Sequence, residues 1–251
     1  MVRREIEEIL LKAGVENASQ EANWLVKHGK GDVRDMVNRR INGEPLQYII
    51  GEWEFYGYVF KVGEGAFIPR PETELLVDAA KEHAPELVLD LCAGTGCVGI
   101  ALAKETGCKV AAVEKSAKAF GYLKRNITLN NAESRVKAIK GDVLNLRRDF
   151  QGFDCVLINA PYLSAREMAA LQKEVTYEPY EALYGGGDGL EFYRGFFGVW
   201  GRFLKGAKLF ACEVGDGQAG RICRLMRDIG LSPKIKKDFN KINRVVYSTQ
   251  T

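Results

Sequence analysis

The sequence predicts an α/β fold: a doubly wound, mostly parallel seven-stranded sheet with an antiparallel edge hairpin, preceded by a small N-terminal helical domain. Two observations predict it. From residue 71 onward, strand-like apolar runs alternate with amphipathic stretches, which is the rhythm of right-handed βαβ crossovers. The first 44 residues show apolar positions at helical spacing only. A chain of 251 residues is long enough for one large domain and one small domain.

Composition narrows the class of protein. A hydrophobic content of 46% and a charged content of 27% are typical of a globular protein, and no apolar run approaches the roughly 20 residues that span a bilayer. The charged N-terminus is unlike a secretory signal. Six cysteines without CxxC spacing indicate buried free thiols in a reducing compartment, so we expect a cytoplasmic protein without a membrane partner. Two distant histidines, His28 and His83, argue against a zinc site or a Ser-His-Asp triad, and no metal is expected.

Charge is distributed unevenly along the chain. Residues 201–251 carry eleven Lys and Arg against four Asp and Glu. Such a basic face can meet RNA or a partner associated with a ribonucleoprotein. A solvated helix and strand face is the plainer explanation, and no stable nucleic-acid binding is expected.

Residues 1–44 are predicted to form short helices. Each helix is predicted from a stripe of apolar residues at helical spacing. The three stripes consist of Ile6, Ile9, Leu10 and Ala13; Ala22, Leu25 and Val26; and Val33, Met36, Val37 and Ile41. Gly14 is placed to end the first helix. The segment is too small for a stable independent domain, so we expect it to pack on a neighbour. Residues 45–70 are predicted to be a β-hairpin connector, because Gln47 to Val62 is rich in β-formers and punctuated by Gly51 and Gly57.

Residues 71–251 supply the main domain. The predicted helices cover 72–82, 97–105 and 116–130. The predicted strands cover 87–91, 109–113, 136–139, 153–158 and 208–214. Two closing strands, 233–238 and 244–248, are joined by a tight turn and would make one edge antiparallel.

The first core strand leads into a candidate cofactor loop, Asp90-Leu-Cys-Ala-Gly94-Thr-Gly96, followed by a helix. A turn of this kind brings backbone N–H groups against a ligand. The spacing Gly94-Thr-Gly96-Cys-Val-Gly99 also matches the GxGxxG dinucleotide pattern, so a hydride-transfer enzyme is a rival. The Asp90 carboxylate would repel a pyrophosphate and attract the ammonium of a methionine-type cofactor. This favours S-adenosylmethionine over NAD.

Two further acids follow the next strands. Glu114 lies about 20 residues after the glycines, where an acid hydrogen-bonds ribose hydroxyls. Asp142 could accept from an adenine amino group, while Val143 packs on the ring. Each acid alone is explained as a surface carboxylate, but three on successive strands indicate a nucleoside cofactor.

The tetrapeptide Asn159-Ala160-Pro161-Tyr162 follows the predicted strand 153–158. It therefore lies at the carboxyl edge of the sheet, where ligands bind in open α/β folds. An amide oxygen and a nearby backbone carbonyl can accept the two hydrogens of a planar NH2 group, and the aromatic ring can pack on its face. Alone, the four residues could equally be a turn.

Together, these motifs resemble those of class I methyltransferases that modify amide or exocyclic nitrogens, whose usual tetrapeptide is Asn-Pro-Pro-Tyr. Three other segments narrow the resemblance to the peptide chain release factor glutamine methyltransferases. They are Gly51-Glu-Trp-Glu-Phe-Tyr-Gly57, Phe67-Ile-Pro-Arg-Pro-Glu-Thr-Glu-Leu-Leu76, and Glu178-Pro179 leading to Ala182-Leu-Tyr-Gly-Gly-Gly-Asp-Gly-Leu190. The resemblance runs from about residue 44 to the C-terminus, so it implies that 71–251 is an S-adenosylmethionine-dependent methyltransferase domain.

The resemblance implies methyl transfer from S-adenosylmethionine, leaving S-adenosylhomocysteine, to the side-chain amide nitrogen of the Gln in the Gly-Gly-Gln loop of class I release factors. By position, the implied cofactor residues are Asp90, Cys92, Ala93, Gly94, Thr95, Gly96, Glu114, Asp142, Val143 and Asn159. The implied catalytic and substrate-binding residues are Asn159, Ala160, Pro161 and Tyr162, with Arg70 as a further substrate-binding residue. Arg70 either gates the pocket or caps the helix that Pro71 opens.

Two positions depart from the family pattern. Cys92 stands where Gly is common, which is tolerable if its φ is negative. Ala160 replaces the first Pro of the tetrapeptide, but it keeps the backbone carbonyl, and Pro161 keeps residue 160 extended. The lost rigidity is worth about 0.4–1 kcal/mol, and an extra N–H is gained. We predict that Asn159 Oδ1 and the Ala160 carbonyl accept the two amide hydrogens.

Three alternatives stay open from the residues alone. One is methylation of a ribosomal protein glutamine. A second is methylation of adenine N6, which would need a target-recognition domain for which 44 residues leave little room. The third is a non-catalytic, cofactor-binding partner of the translation apparatus. The glycine loop 185–189 is interpreted as either a mobile lid or a turn.

Overall fold

Helices form the N-terminal segment of the computed structural model, which describes residues 1–145 and 152–250. They are α1 (Arg3–Lys12), α2 (Ala18–His28), α3 (Val33–Ile41) and α4 (Leu46–Ile50). Asp32 begins α3 as its N-cap, accepting a hydrogen bond from the Arg34 N–H. The apolar faces of the four helices meet in a core of their own, which confirms most members of the predicted helical stripes. The prediction is wrong for Ala13, Val26 and Ile41, whose side chains are exposed.

The expectation of strand residues before Gly51 is wrong, because residues 46–50 are helical. Leu46, Ile49 and Ile50 are buried in the core of the N-terminal helices. Burying three apolar side chains outweighs the β preference of Ile and Tyr, which is a weak effect. The helix ends at Gly51, whose φ of 78° is left-handed. The predicted hairpin follows as β1 (Glu52–Phe55) and β2 (Tyr58–Lys61), which pair antiparallel.

Seven strands form the main sheet in the order β5-β4-β3-β6-β7-β9-β8. Their bounds are β3 (Leu87–Leu91), β4 (Lys109–Glu114), β5 (Val136–Lys140), β6 (Cys155–Ile158), β7 (Leu209–Glu213), β8 (Lys234–Lys237) and β9 (Asn243–Thr249). Strands β3 to β7 are parallel, and β9 pairs antiparallel with both β7 and β8. The predicted mostly parallel sheet with an antiparallel edge hairpin is confirmed.

Helices cover both faces of this sheet. One core contains residues from α5 (Glu74–Lys81), α6 (Cys97–Thr106) and α7 (Ala117–Leu129). The other contains residues from α10 (Glu191–Leu204) and α11 (Ala219–Asp228), two helices that the sequence reading did not identify. Between β6 and α10 lie the short helices α8 (Ala165–Met168) and α9 (Tyr180–Leu183), and 3₁₀ turns occur at Pro71–Thr73 and Val175–Tyr177.

A buried arginine joins the N-terminal helices to the main domain. Arg40, 4% exposed, forms two hydrogen bonds with Glu21, at 2.5 and 2.9 Å, and one with Glu174 at 2.6 Å. The Tyr177 hydroxyl also donates to the Asn42 carbonyl. The expected packing of the small helical segment on a neighbour is thereby confirmed.

The basic C-terminal segment includes the edge strand β8. Lys236 pairs with Glu82, and Arg244 pairs with Asp238. Lysines on an edge strand discourage pairing with another chain, which gives this charge a structural use. Among the described residues no helix is both long and apolar enough to span a bilayer. The six cysteines are free thiols, five of them buried.

Replacing Arg40 with Ala is expected to lower the free energy of unfolding by about 3–5 kcal/mol, because Glu21 would be left buried without its partner. Urea denaturation followed by circular dichroism measures this. Arg39→Ala is the matched control: Arg39 pairs with Glu44 at the surface, so its loss should cost about 1 kcal/mol or less. Equal losses in the two variants would contradict the role given to Arg40.

Candidate functional site

A cavity opens where the order of the strands reverses. Strands β3 and β6 are neighbours, but the chain leaves β3 toward β4 and β5 on one side and continues from β6 to β7 on the other. In open α/β sheets such a reversal leaves a crevice at the carboxyl ends of the strands. The cavity here has a volume of about 790 Å³. The predicted site residues that line it are Arg70, Asp90, Cys92, Ala93, Gly94, Thr95, Glu114, Asp142, Val143, Asn159, Ala160, Pro161 and Tyr162.

Gly96 is the one predicted site residue that does not line the cavity. Its N–H donates to the Ala93 carbonyl within the turn, and its φ of 82° begins α6. A Cβ here would lie 2.4 Å from Leu123 Cδ1, so the position requires glycine for packing as well as conformation. Gly96 therefore fixes the conformation of the loop without contacting the cavity.

Cys92 adopts a φ of 57°, so the condition of a negative φ is not met. A side chain in the left-handed region costs on the order of 1 kcal/mol, and glycine is the usual solution. The next residue anchors the loop, because the Ala93 N–H donates to the Val113 carbonyl at the end of β4. The loop thus holds a strained residue directly against the cavity.

Asp90 lies at the end of β3 and is 3% exposed. Its Oδ2 accepts from the Gly99 N–H at 2.9 Å, in the first turn of α6. Burial raises the pKa of Asp90 to about 7; the Gly99 hydrogen bond opposes this shift and the charge of Glu114 adds to it. A Cβ on Gly99 would lie 2.8 Å from Oδ2, which explains the third glycine of the pattern as a site of close approach.

Glu114 and Asp142 extend the acidic wall onto β4 and the loop after β5. Glu114 accepts from the Gly94 N–H at 2.8 Å and the Ser116 N–H at 2.5 Å, and burial raises its pKa. Burial acts in the same direction on Asp142, but the Lys115 ammonium at 2.9 Å and local hydrogen bonds outweigh it and lower the pKa. Three acids on one wall fit an ammonium, two ribose hydroxyls and an adenine amino group, the polar parts of S-adenosylmethionine.

The tetrapeptide is held by a buried carboxylate on the neighbouring strand. Asn159 Nδ2 donates to Thr73 Oγ1 at 3.2 Å, and Thr73 Oγ1 donates to Glu213 Oε2 at 2.6 Å. The Tyr162 hydroxyl donates to Glu213 Oε1 at 3.4 Å. Glu213, at the end of β7, therefore supports both ends of the tetrapeptide.

Ala160 is buried in the same core as Tyr193 of α10. The Tyr193 hydroxyl donates to the Glu213 carbonyl, and Tyr193 is itself fully buried. Packing in this core limits the movement of residue 160 even without the rigidity of a proline.

The glycine loop is a structured turn packed against the tetrapeptide. The Leu163 N–H donates to the Leu183 carbonyl, and the Gly185 N–H donates to the Leu163 carbonyl. Asp188 pairs with Arg194 across the turn. These contacts favour the turn over the mobile lid.

Arg70 lies on the cavity wall, and its side chain makes no capping hydrogen bond to the 3₁₀ turn that follows. Its guanidinium donates to Glu178 and to the Ile68 carbonyl, and it lies 4.8 Å from the Phe67 ring centroid. The Ile68 N–H also donates to Glu178. Arg70 therefore ties the segment before α5 to the segment before α9, and the capping alternative is not what the structure shows.

Sequence reasoning missed Thr73 and Glu213. Thr73 lies in the motif that carries the resemblance, but nothing in its spacing marks a contact with Asn159. Glu213 had a usable signal, because it ends a buried strand as Glu114 does. Among residues 1–145 and 152–250 no cluster of three or more His, Cys, Asp or Glu side chains could hold a metal ion.

The chain is similar in sequence to known methyltransferases. A family model described as the TRM5/TYW2 methyltransferase domain matches residues 56–176. The release factor glutamine methyltransferase of Thermodesulfovibrio yellowstonii is 38% identical over 223 residues, covering 85% of this chain and 79% of that protein. The release factor glutamine methyltransferase of Geobacter sulfurreducens is 36% identical over 262 residues, covering 94% and 91%.

Solved structures share the fold. The catalytic domain of human METTL16, in complex with MAT2A 3′UTR hairpin 6, superposes with a TM-score of 0.65 at 16% identity, covering 90% of this chain and 88% of that chain. The N-terminal domain of human METTL16 in complex with S-adenosylhomocysteine gives a TM-score of 0.53 at 16% identity, covering 73% and 72%. At this identity the likeness concerns the fold alone.

Replacing Gly185 with Ala is expected to destabilise the protein by about 1–3 kcal/mol, the usual cost of overpacking. The new Cβ would lie 2.7 Å from the Pro161 carbonyl oxygen and 2.7 Å from Tyr162 Cα, and backbone atoms yield poorly. Gly220→Ala, on α11 with no atom within 4 Å, is the control and should be neutral or stabilising by up to about 1 kcal/mol. Thermal and urea unfolding measure both, and a neutral Gly185→Ala would contradict the packing argument.

The pH dependence of stability should report the buried Glu213. Burial raises the pKa of Glu213 to about 7, against the opposing effects of Thr73, Arg244 and Tyr162. The folded state therefore holds its proton more tightly than the unfolded state. This contribution is fully present at pH values below the unfolded pKa, near 4.5, and it is lost as the pH rises to about 7.

Glu213→Gln should gain stability relative to the wild type by roughly 2–3 kcal/mol between pH 5 and pH 8, because Gln has no proton to lose. Urea unfolding of both proteins at the two pH values gives this difference. Asp90 is common to both and cancels. The same difference at pH 5 and pH 8 would show that Glu213 titrates normally.

Proposed function

The chain belongs to the family of release factor glutamine methyltransferases, and from that premise we propose how its residues carry the reaction. It is an S-adenosylmethionine-dependent enzyme that methylates the side-chain amide nitrogen of a release factor glutamine. Hydride transfer, the rival suggested by the glycine spacing, is excluded by that membership. The substrate is the Gln of the Gly-Gly-Gln loop in class I release factors, which places the enzyme in the cytoplasm, where translation takes place.

The cofactor would be held by the acidic wall and by the candidate cofactor loop, residues 90–96. S-adenosylmethionine supplies an electrophilic methyl group when bound. Asp90 would pair with its ammonium, Glu114 would accept from the ribose hydroxyls, and Asp142 would accept from the adenine amino group while Val143 would pack on the ring. The cavity that these residues line together supports this assignment.

The observation that carries the substrate assignment is the orientation of Asn159 at the edge of the cavity. Its Nδ2 donates a hydrogen bond to Thr73 Oγ1, so Oδ1 is left to accept a hydrogen bond from a ligand. Oδ1 and the Ala160 carbonyl accept the two hydrogens of the glutamine amide, and the Tyr162 ring packs on its plane. The two acceptors would orient the nitrogen for attack on the methyl group that the bound cofactor would supply.

These acceptors act more strongly as the reaction proceeds. An amide nitrogen is a poor nucleophile because its lone pair is delocalised into the carbonyl. As the N–C bond forms and the sulfonium S–C bond breaks, positive charge develops on the nitrogen, and fixed oxygen dipoles stabilise this charge more than the neutral ground state. The sulfur leaves as the thioether of S-adenosylhomocysteine, and the nitrogen loses one of its two protons to water to give the neutral N-methyl amide. The Tyr162 hydroxyl is held by the buried Glu213, and Ala160 is itself buried, so little reorganisation accompanies the step.

The other candidate substrates receive no specific support. A ribosomal protein glutamine would fit the same two acceptors, but the relatives are named for release factors. Adenine N6 would present a larger planar group, and the N-terminal helices are bonded to the main domain through Arg40. The hydrogen bonds that hold Asn159 and Tyr162 in place support an active tetrapeptide over a non-catalytic protein.

Asn159→Ala is expected to lower kcat for methyl transfer by about 10²–10³-fold, the scale of removing one preorganised transition-state partner. Transfer of labelled methyl from S-adenosylmethionine to a purified class I release factor measures it. Asn23→Ala, exposed on α2, is the matched control and should keep wild-type activity. Unchanged transfer by Asn159→Ala would refute the assignment of the tetrapeptide. A release factor whose Gly-Gly-Gln glutamine is changed to Ala should accept no label.

A further inference from the structure

We propose that Thr73 is a positioning residue whose hydroxyl sets which end of the Asn159 amide faces the cavity. The inference rests on the proposed function, since it concerns the amide assigned there to the substrate nitrogen. Thr73 closes the 3₁₀ turn Pro71–Thr73 before α5, far from Asn159 in sequence. The fold brings its side chain to the end of β6, against the tetrapeptide.

The single proton of the Thr73 hydroxyl is already committed. Oγ1 donates to Glu213 Oε2 at 2.6 Å, and both residues are 2% exposed, so the bond is shielded from solvent. A hydroxyl has one donor and two acceptor lone pairs. While Glu213 is ionised, Thr73 Oγ1 can therefore only accept a hydrogen bond from any other neighbour.

This restriction selects one orientation of the Asn159 amide. With Nδ2 toward Thr73, at 3.2 Å, an N–H meets an oxygen lone pair. With the amide turned over, Oδ1 would face Oγ1 with no proton between the two oxygens. The turned amide would also present Nδ2, a donor, to the N–H groups of the substrate glutamine. The Thr73 hydroxyl thus favours the orientation that can accept.

The Glu213 carboxylate also accepts a hydrogen bond from Tyr162, at the other end of the tetrapeptide. Glu213 Oε1 accepts from the Tyr162 hydroxyl, while Oε2 accepts from Thr73. Glu213 acts on Tyr162 directly, but it acts on Asn159 only through Thr73. Removing the Thr73 hydroxyl therefore frees the Asn159 amide to turn over, while the Glu213 carboxylate stays in the core.

Thr73→Val keeps the shape of the side chain and removes the hydroxyl, whereas Thr73→Ser keeps the hydroxyl. Methyl transfer to a class I release factor is measured at saturating S-adenosylmethionine, with kcat and KM for the release factor determined separately. Thr73→Val is expected to lower kcat about tenfold, the scale of one hydrogen bond, and to change KM by less than about twofold. Thr73→Ser should restore kcat to within about threefold of wild type.

Two further measurements separate positioning from a loss of structure. The dissociation constant for S-adenosylmethionine and the Tm of Thr73→Val should stay near the wild-type values. Thr106→Val removes a hydroxyl that donates to the Leu102 carbonyl at the end of α6, and it should leave kcat unchanged. If Thr73→Val does not fold, Thr73→Ala removes the same hydroxyl and serves in its place.

The outcomes distinguish the inference from the proposed function. Wild-type kcat in Thr73→Val, a change confined to KM, or a Thr73→Ser variant as slow as Thr73→Val each overturn the role of Thr73 alone. A wild-type protein that transfers no methyl group to the release factor overturns the proposed function and this inference with it.

Discussion

The buried carboxylate of Glu213 is the constraint on which the tetrapeptide depends. Removing an ionisable group from water is costly, and burial raises its pKa accordingly. The cost is offset by hydrogen bonds from Thr73 and Tyr162. Because these donors come from different elements, satisfying one carboxylate also fixes the positions of the start of α5 and the loop after β6. A structural need thereby orients the groups proposed to hold the substrate.

On the cofactor side of the cavity, too, buried acids accept hydrogen bonds from the backbone next to them. Asp90 accepts a hydrogen bond from the first turn of α6, and Glu114 accepts one from the Gly94 N–H in the candidate cofactor loop. Each acid proposed to bind the cofactor therefore also ties down the backbone that surrounds it. Cys92 shows that this loop is held firmly, since a non-glycine residue is kept at a φ of 57° by its surroundings.

The N-terminal helices contact a segment that forms part of the wall of the site. Arg40 reaches from α3 to Glu174, and the neighbouring Val175 lines the cavity. Lys173 packs against Gly43, where a Cβ would lie 2.7 Å from the lysine side chain. The small helical segment and the segment before α9 thus share one buried ionic contact, and displacing either would disturb the mouth of the cavity.

Periodicity and motif spacing by themselves determined the α/β class, the seven-stranded sheet with its antiparallel edge, and the acids at the strand ends. Those acids could be predicted because parallel strands end at one edge, so a local pattern implies a shared location. The prediction of strand for residues 47–50 is wrong because the β preference of Ile and Tyr was considered without the packing partners of these residues. The φ of Cys92 and the contact between Thr73 and Asn159 could not be predicted, since both depend on what other segments press against them. The sequence therefore determined which chemical groups are present, and the tertiary structure decided their direction, because a hydrogen bond is set by partners distant in the chain.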